Sequence, residues 1–303
     1  MTTAETPSQK TIGERLREGG RPLFSFEFFP PRDDAGAEQL WRAIKLLQPL
    51  SPDFVSVTYG ANGSSRDRTV AVTRRLAAKT SLTTMGHLTC ASQPVSEIEG
   101  VLEAYEDAGV RHILAVRGDM PGGPTAPWLP HPAGLPNATA LVSLVKATGP
   151  FCVGVAAFPD IHPSRHDSDL DARILLDKQA AGAEFAITQL FFRPESYFSL
   201  IERIRAIGCT LPVIPGIMPI TQIGQIERFA DLSGAPIPDE VEKRLRAVAD
   251  DPPGVREVGA EIATELSQAL LDGGAPGLHF FTQNRSVATM AIWAGLRVRP
   301  VAH

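Results

Sequence analysis

Eight β-prone apolar runs alternate with segments of helical periodicity, and this alternation constrains the fold more than any other feature of the sequence. The runs occupy residues 23–29, 54–58, 84–89, 112–116, 152–157, 185–190, 212–217 and 278–281. The helical patterns that follow them occupy residues 37–47, 67–79, 95–108, 138–147, 169–182, 195–207, 222–232 and 286–296. Eight such units predict an α/β fold, a closed parallel (β/α)8 TIM barrel, because an open doubly wound sheet typically has fewer strands and a glycine fingerprint.

The domain organisation follows from the same count. A chain of 303 residues allows two domains by length alone, but an α/β barrel of ~250 residues also forms one unit. We therefore expect residues 1–20 to form a tail with a short helix at 11–17, and residues 21–303 to form a single barrel. Residues 236–273 contain two further helical patterns, at 238–249 and 253–271, which predict extra helices inserted after strand seven.

Charge and cysteine usage exclude several classes of partner. The chain has 29 Lys plus Arg against 34 Asp plus Glu, a net charge of 29 − 34 = −5, with the signs interspersed. A nucleic-acid groove or a polybasic membrane patch needs concentrated basic residues, so we expect neither partner. Cys90, Cys152 and Cys209 are too widely spaced for a zinc knuckle or a disulfide framework, which favours a reducing, cytoplasmic location.

No metal or nucleotide motif stands out. His162 and His166 have i, i+4 spacing, but Pro163 lies between them and no Glu completes a His-Glu-x-x-His arrangement, so we expect no metal site. Neither the dinucleotide fingerprint G-x-G-x-x-G nor a P-loop occurs. In a TIM barrel the chemistry lies at the carboxyl ends of the strands, so the polar residues that end the apolar runs are the candidates.

Two carboxylates among these candidates suggest acid catalysis combined with electrostatic stabilisation. Glu27 lies in sequence among four phenylalanines, and apolar surroundings would raise its pKa and make it a proton donor. A Glu paired with a Lys or Arg at the barrel mouth is the alternative. Asp119 follows Arg117 and a glycine, whose positive charge and free amides would keep the carboxylate ionised. The alternative there is an ordinary turn that ends a strand.

Two helical patterns carry further candidates. Asp171, Ile174 and Lys178 have i, i+3 and i+7 spacing, so they share one face, which either meets a phosphate or is an ordinary exposed face. Gln225 and Phe229 form an i, i+4 pair, and Phe229 is either a core residue or a stacking partner for a ligand.

Seven motifs together resemble the methylenetetrahydrofolate reductase family. They occur in the family's order over nearly the whole chain, and their combination is highly specific. They are SFEFFPPR at 25–32, VTYGAN at 57–62, HLTC at 87–90, RGD at 117–119, AITQLFF at 186–192, PGIMP at 215–219 and HFFT at 279–282.

The resemblance implies an FAD-dependent (β/α)8 enzyme that reduces 5,10-methylenetetrahydrofolate to 5-methyltetrahydrofolate for methionine synthesis. NADH or NADPH would reduce the flavin and leave before the folate enters, which is a ping-pong mechanism. The resemblance is to the catalytic barrel without a regulatory domain, and it implies a homo-oligomer.

The family's functional positions map onto this sequence. Glu27 would protonate the folate, and Asp119 would stabilise the cationic ring-opened folate. Gln189, Gln225, Phe229, Arg285 and Asp119 would bind substrate, and Thr58 would contact the nicotinamide nucleotide. The positions implied to bind FAD are Tyr59, Ala61, His87, Arg117, Gly118, Asp119, Ala138, Phe158, His162, Asp171 and Lys178.

Three residues depart from the family's pattern at the flavin site. Phe158 stands where Tyr is common, Ile174 where Asn is usual, and Asp177 where a basic residue is frequent. Losing a neutral hydrogen bond costs ~0.5–1.5 kcal/mol, so we expect FAD to bind more weakly than in relatives.

The departures keep a flavin-independent folate reductase open as an alternative. Two further alternatives are a folate barrel that transfers a methyl group to a corrinoid or thiol, and a catalytically silent folate-binding subunit. The first of these would need a metal or cobalamin partner, and the second does not account for Glu27, Asp119 and Gln189 occurring together.

Overall fold

Parallel strands form a nearly closed barrel in the computed structural model, which describes residues 10–59 and 66–297. The prediction of a TIM barrel is therefore confirmed. The strands are β1 (Leu23–Phe28), β2 (Phe54–Val57), β3 (Thr84–Thr89), β4 (His112–Val116), β5 (Cys152–Ala157), β6 (Phe185–Thr188), β7 (Val213–Ile214), β8 (Gly216–Ile217) and β9 (Gly277–Phe281).

The seventh strand differs from the prediction, because residues 212–217 do not form one continuous strand. β7 pairs with β6, β8 pairs with β9, and Pro215 separates the two segments. Proline has no backbone N–H to donate to a ladder, which is why the strand is interrupted there. The carbonyl of Pro215 still accepts a hydrogen bond of 2.9 Å from the N–H of His279, so β7 and β8 together fill the place of one strand.

Helices surround the strands. They are α1 (Ile12–Glu18), α2 (Asp34–Leu47), α3 (Arg66–Lys79), α4 (Val95–Asp107), α5 (Ala138–Thr148), α6 (Ser168–Ala180), α7 (Pro194–Ala206), α8 (Ile223–Ser233), α9 (Asp239–Arg246), α10 (Pro252–Asp272) and α11 (Val287–Gly295). The extra helices predicted after strand seven are α9 and α10. Helix α2 begins three residues before the predicted 37, since the Asp33 side chain caps it by accepting from the N–H of Gly36.

Strand β1 shows how the alternation of side chains divides the core. Phe24 and Phe26 point outward and pack against Trp293 of α11, with ring centroids 5.0 Å and 5.5 Å apart respectively. Successive side chains of a strand point to opposite faces, so Ser25 and Glu27 point into the barrel. The barrel wall is thus apolar toward the helices, while the interior of β1 carries polar groups.

Helix α1 closes the amino-terminal end of the barrel. Ile12 and Leu16 join an apolar cluster inside the barrel that includes Phe54 and Phe185. The N–H of Ile12 also donates to Nε2 of His112 over 3.3 Å. Burial lowers the pKa of His112 to about 4, so at neutral pH the imidazole is uncharged and can accept this bond.

Among the residues described, no helix combines the length and the apolar character needed to cross a bilayer.

A buried carboxylate joins α1, β1 and β2 at this end of the barrel. Asp53 accepts hydrogen bonds from Arg21 over 2.8 Å and 2.7 Å, from the N–H of Phe24 over 2.7 Å, and from Arg15. Burial raises the pKa of Asp53, but the bonds from Arg21 and Phe24 and the nearby Arg15 lower it on balance.

We predict that Asp53→Asn lowers the free energy of unfolding by about 3 kcal/mol, the lower end for a broken buried ion pair, because Arg21 is half exposed. Urea denaturation followed by circular dichroism measures the change. The folded-state pKa of Asp53 lies below its unfolded value, so the wild-type advantage should be full at neutral pH and disappear as the pH falls through the folded-state value.

Glu18→Gln is the matched control, since Glu18 pairs with Lys10 in an exposed ion pair. Its cost should stay below about 1 kcal/mol. Equal losses in the two variants would contradict the anchoring role of Asp53.

Candidate active site

A cavity of about 880 Å³ opens at the carboxyl ends of the strands. This volume lies within the range of ligand and cofactor sites in proteins. Nine of the residues that the sequence singled out line it: Glu27, Thr58, Tyr59, His87, Asp119, Phe158, His162, Gln189 and Phe229.

The remaining candidates lie outside this lining. Ala138 is buried as the first residue of α5, and Asp171 and Lys178 are buried on α6. Gln225 and Arg285 line a second groove, of about 360 Å³, which shares Phe229 and Gln283 with the main cavity. Ala61 lies outside the described residues.

Gly118 makes the turn between Arg117 and Asp119. Its φ is +81°, and a Cβ atom there would lie 2.9 Å from Cβ of Thr89. Only glycine fits both the left-handed backbone conformation and this close approach. The turn that positions Asp119 therefore requires glycine at position 118.

Glu27 lies at the centre of a buried polar cluster. Its Oε2 is 3.2 Å from Nε2 of His279, whose Nδ1 is 2.7 Å from Oγ of Ser25. Nε2 of His87 lies 3.4 Å from the same oxygen, and this buried nitrogen has no hydrogen-bond partner among the described residues. Glu27 is therefore paired with histidines, and neither a Lys nor an Arg forms an ion pair with it in the described chain.

The pKa predicted for Glu27 was wrong in direction. Burial raises it, but the hydrogen bond with His279 and the attraction of both imidazoles lower it on balance. The prediction assumed that the neighbouring phenylalanines surround the carboxyl. They cannot, because Phe26 and Phe28 belong to the outward-facing core of the barrel wall while Glu27 points inward.

The pKa of Asp119 shifts upward, although Arg117 and the amides of the turn were expected to favour the ionised carboxylate. Burial raises the pKa of its carboxyl, and the nearby Arg117 opposes this only in part. The positive charge read from the sequence is present, but the removal of water from the carboxylate has the larger effect.

A cluster of three cations lies beside the cavity, at Arg117, Arg165 and Lys178. Lys178 is buried, so its face of α6 is not an ordinary exposed one, and its Nζ donates to the carbonyl of Ala156 over 3.0 Å. Burial, together with the charges of Arg165 and Arg117 and against the opposing effect of Asp171, lowers the pKa of Lys178 to about 8. At neutral pH the ammonium is still mostly charged, which makes the cluster a candidate site for an anion.

His162 lines the cavity, and the charges of all three cations act on it. Burial and the charges of Arg165 and Arg117 lower its pKa to about 3, so it is neutral at physiological pH. The centroid of its imidazole ring is 4.5 Å from that of the Phe158 ring. The backbone N–H of His162 donates to Oδ2 of Asp171 over 3.1 Å. Phe158 thus keeps an aromatic contact at the position where the family often has Tyr.

Three residues at the site escaped the sequence analysis. His279 entered only as part of the HFFT motif and was given no role, and neither Arg165 nor Gln283 was singled out. In the structure His279 contacts Glu27, Arg165 pairs with Asp171, and Gln283 hydrogen-bonds to Gln225 at the border of the two cavities. The pairing of β1 with β9 brings His279 to Glu27, and this contact joins residues 252 positions apart. No local pattern could have indicated it.

Comparison with known proteins adds independent information. Residues 11–297 match the model of the family described as methylenetetrahydrofolate reductase. The chain is 38% identical to the 5,10-methylenetetrahydrofolate reductases of Pectobacterium carotovorum and Escherichia coli, with 99% of both chains covered in each case. It is also 32% identical to the maize methylenetetrahydrofolate reductase (NADH) 1, covering 91% of this chain and 48% of that protein.

A solved structure supports the fold. An uncharacterized Clostridium thermocellum protein that binds two copies of 5-methyl-5,6,7,8-tetrahydrofolic acid superposes with a TM-score of 0.63. The alignment covers 92% of this chain and 95% of that one at 15% identity.

We predict that His279→Phe raises the pKa of Glu27, because burial then acts on the carboxyl without its main opposing partner. A phenyl ring suits the site, since His279 already stacks on Phe54 with ring centroids 6.0 Å apart. Infrared titration should show the band of a protonated carboxyl persisting to higher pH than in the wild type. The band should vanish in the double variant that adds Glu27→Gln, and an unchanged titration would contradict the assignment.

Proposed function

The chain belongs to the methylenetetrahydrofolate reductase family, and from this premise we propose that it reduces 5,10-methylenetetrahydrofolate with electrons that NADH or NADPH delivers through bound FAD. The observation that carries the proposal is the meeting of Glu27, Asp119 and Gln189 in one cavity at the carboxyl ends of the strands. These side chains supply a proton donor, an anion and a hydrogen-bonding amide, which are the groups that opening and reducing a pterin-linked ring requires.

The site also fits a flavin dinucleotide. The cation cluster is suited to a diphosphate, and the buried Nε2 of His87 offers a polar atom whose hydrogen bond is not made within the described chain. Bound FAD would take a hydride from the nicotinamide and deliver it to the folate. Arg117, His162, Asp171 and Lys178 would hold the cofactor, together with the amides around Gly118 and the ring of Tyr59.

Glu27 is proposed as the acid that protonates the folate. The pKa of Glu27 is lowered by its histidine partners on balance, so the proton has to come from a neighbour or from a change in surroundings. His279 is placed to pass a proton to Oε2, since its other nitrogen contacts Ser25. A substrate that covers the carboxyl removes its remaining water, which raises its pKa and favours the protonated form.

Asp119 is proposed to stabilise the positive charge that develops on the ring-opened folate. Its own pKa is raised by burial, but a cation beside the carboxyl favours the ionised form. The attraction is therefore strongest when the cation has formed, which is the condition for lowering the barrier.

Gln189 is proposed to hydrogen-bond the pterin and, in the other half-reaction, the nicotinamide. Its Oε1 accepts from the N–H of Leu190 over 2.9 Å, so the side-chain NH₂ is directed away from that bond. Thr58 would contact the nicotinamide nucleotide, and Phe229 would pack on either substrate. The outer groove beside Gln225 and Arg285 would take the anionic glutamate end of the folate.

A cytoplasmic location is part of the proposal, supported by the buried thiols of Cys90, Cys152 and Cys209, none of which forms a disulfide. A homo-oligomer is proposed from the family resemblance, and light scattering on the purified protein measures it.

We predict that Glu27→Gln leaves flavin reduction by NADH within a few-fold of wild type, because this hydride transfer needs no protonated carboxyl. Folate reduction should fall by ~10²–10⁴, the usual loss for a missing general acid. Stopped-flow absorbance of the flavin separates the two half-reactions, with each step measured on the FAD-loaded full chain.

Glu38→Gln, an exposed glutamate on α2, serves as the control and should change neither half-reaction. Parallel losses in both half-reactions of Glu27→Gln would indicate a folding or cofactor defect and contradict the acid role. Full turnover by flavin-free wild-type protein without added FAD would favour the flavin-independent alternative.

A further inference from the structure

Arg165 occupies a position that the family resemblance does not assign. It lies in the segment between β5 and α6, and its side chain is only 23% exposed. Its Nε and Nη2 lie 2.6 Å and 2.5 Å from Oδ1 of Asp171, while its guanidinium carbon is 5.9 Å from the centre of the Phe158 ring. The second amino group, Nη1, has no partner among the described residues.

Asp171 holds this guanidinium in a fixed position. Its Oδ1 is bonded by Arg165, and its Oδ2 accepts the N–H of His162 over 3.1 Å. Asp171 is buried, so both bonds form in a region of low dielectric where they are strong. The arrangement ties Arg165 to the edge of the cavity that His162 lines.

The charges around this point do not balance. Arg117, Arg165 and Lys178 act on one another and on His162, while Asp171 pairs with Arg165 and Asp119 acts on Arg117. With both carboxylates ionised, three positive charges and two negative charges leave one positive charge, 3 − 2 = 1. A diphosphate diester carries two negative charges, so it would more than offset this excess. Buried like charges are costly without such a partner.

Asp177, which replaces a frequent basic residue of the family, does not cancel this excess. Its side chain is exposed on α6, and it is not among the charges that perturb Lys178, where Arg165 is the strongest. The cation that the family often places on the helix is therefore supplied here by the preceding loop.

We propose that Arg165 binds the diphosphate of FAD together with Lys178 and Arg117, with Asp171 orienting its guanidinium. The assignment rests on the proposed flavin dependence. It makes Arg165 a cofactor-binding residue of this chain and accounts for the acidic residue that the chain tolerates at position 177.

Binding of FAD and of riboflavin to the flavin-free full chain tests the assignment, with flavin fluorescence as the readout. Riboflavin lacks phosphate, so it reports on the isoalloxazine site alone. Arg165→Gln should weaken FAD binding by ~10-fold or more, as expected for loss of charge-assisted hydrogen bonds, and leave riboflavin binding unchanged. The dependence of the FAD dissociation constant on salt should become shallower, because one fewer cation contacts the phosphates.

Arg203→Gln is the matched control. Arg203 lies on α7 and is also partly buried, and its Nε lies 3.8 Å from Oδ1 of Asp169 on α6. It is not among the charges that act on His162 or Lys178. The Arg203→Gln variant should bind FAD with the affinity of the wild type. Arg165→Lys retains the charge without the planar fork, and it should recover part of the lost FAD affinity.

Equal weakening of FAD and riboflavin by Arg165→Gln would overturn the assignment, because Arg165 would then only support the loop. Unchanged FAD binding would overturn it as well. In both outcomes the wild-type chain still binds FAD, so the proposed flavin dependence would stand. A wild-type chain that binds neither flavin would instead overturn the proposed flavin dependence, and this assignment with it.

Discussion

The parallel pairing of β1 with β9 is the interaction on which the site depends. It closes the barrel, and its register places Ser25 opposite His279 and Glu27 opposite Phe281. Because side chains alternate along each strand, the same register that sends the phenylalanines of β1 toward the helices sends Ser25, Glu27 and His279 inward. A slip of one residue would bury Glu27 against the helices and expose phenyl rings to the cavity. The same ladder of hydrogen bonds therefore closes the barrel and sets the geometry around Glu27, the proposed acid.

The periodicity of the sequence was sufficient to predict the fold, because each βα unit is a local pattern. Eight such units with right-handed parallel connections close into a barrel. It was insufficient where a single residue changes the outcome, as at Pro215, which divides the seventh strand. The polar strand ends correctly predicted that Glu27, Asp119 and Gln189 meet in one cavity. The surroundings of Glu27 could not be predicted, since His279 reaches it only through long-range pairing and the adjacent phenylalanines point elsewhere.

Burial is the largest single influence on the pKa values of Glu27, Asp119 and Lys178, yet the three groups respond differently. Glu27 has imidazole partners that reverse the effect, whereas Asp119 and Lys178 do not have partners strong enough to do so. A site in which water is already excluded changes its protonation when a ligand adds or removes one charge. The protonation of Glu27 is therefore expected to depend on which ligand occupies the cavity, which agrees with the proposal that a nicotinamide and a folate bind there in turn.

The departures from the family pattern have different physical weights. Phe158 keeps its ring contact with His162, so its missing hydroxyl removes one hydrogen bond and little else. Ile174 is half-buried and offers no polar atom, so any contact made by an asparagine there is lost. Asp177 is exposed, and its charge is screened by solvent. A position-by-position comparison counts all three substitutions as lost contacts to the cofactor. A bound anion, however, responds to the total electrostatic field of the site. Arg165 adds a partly buried positive charge to that field from a different segment of the chain. Binding of a diphosphate is thus determined by the charges that converge in space, whichever segment supplies them.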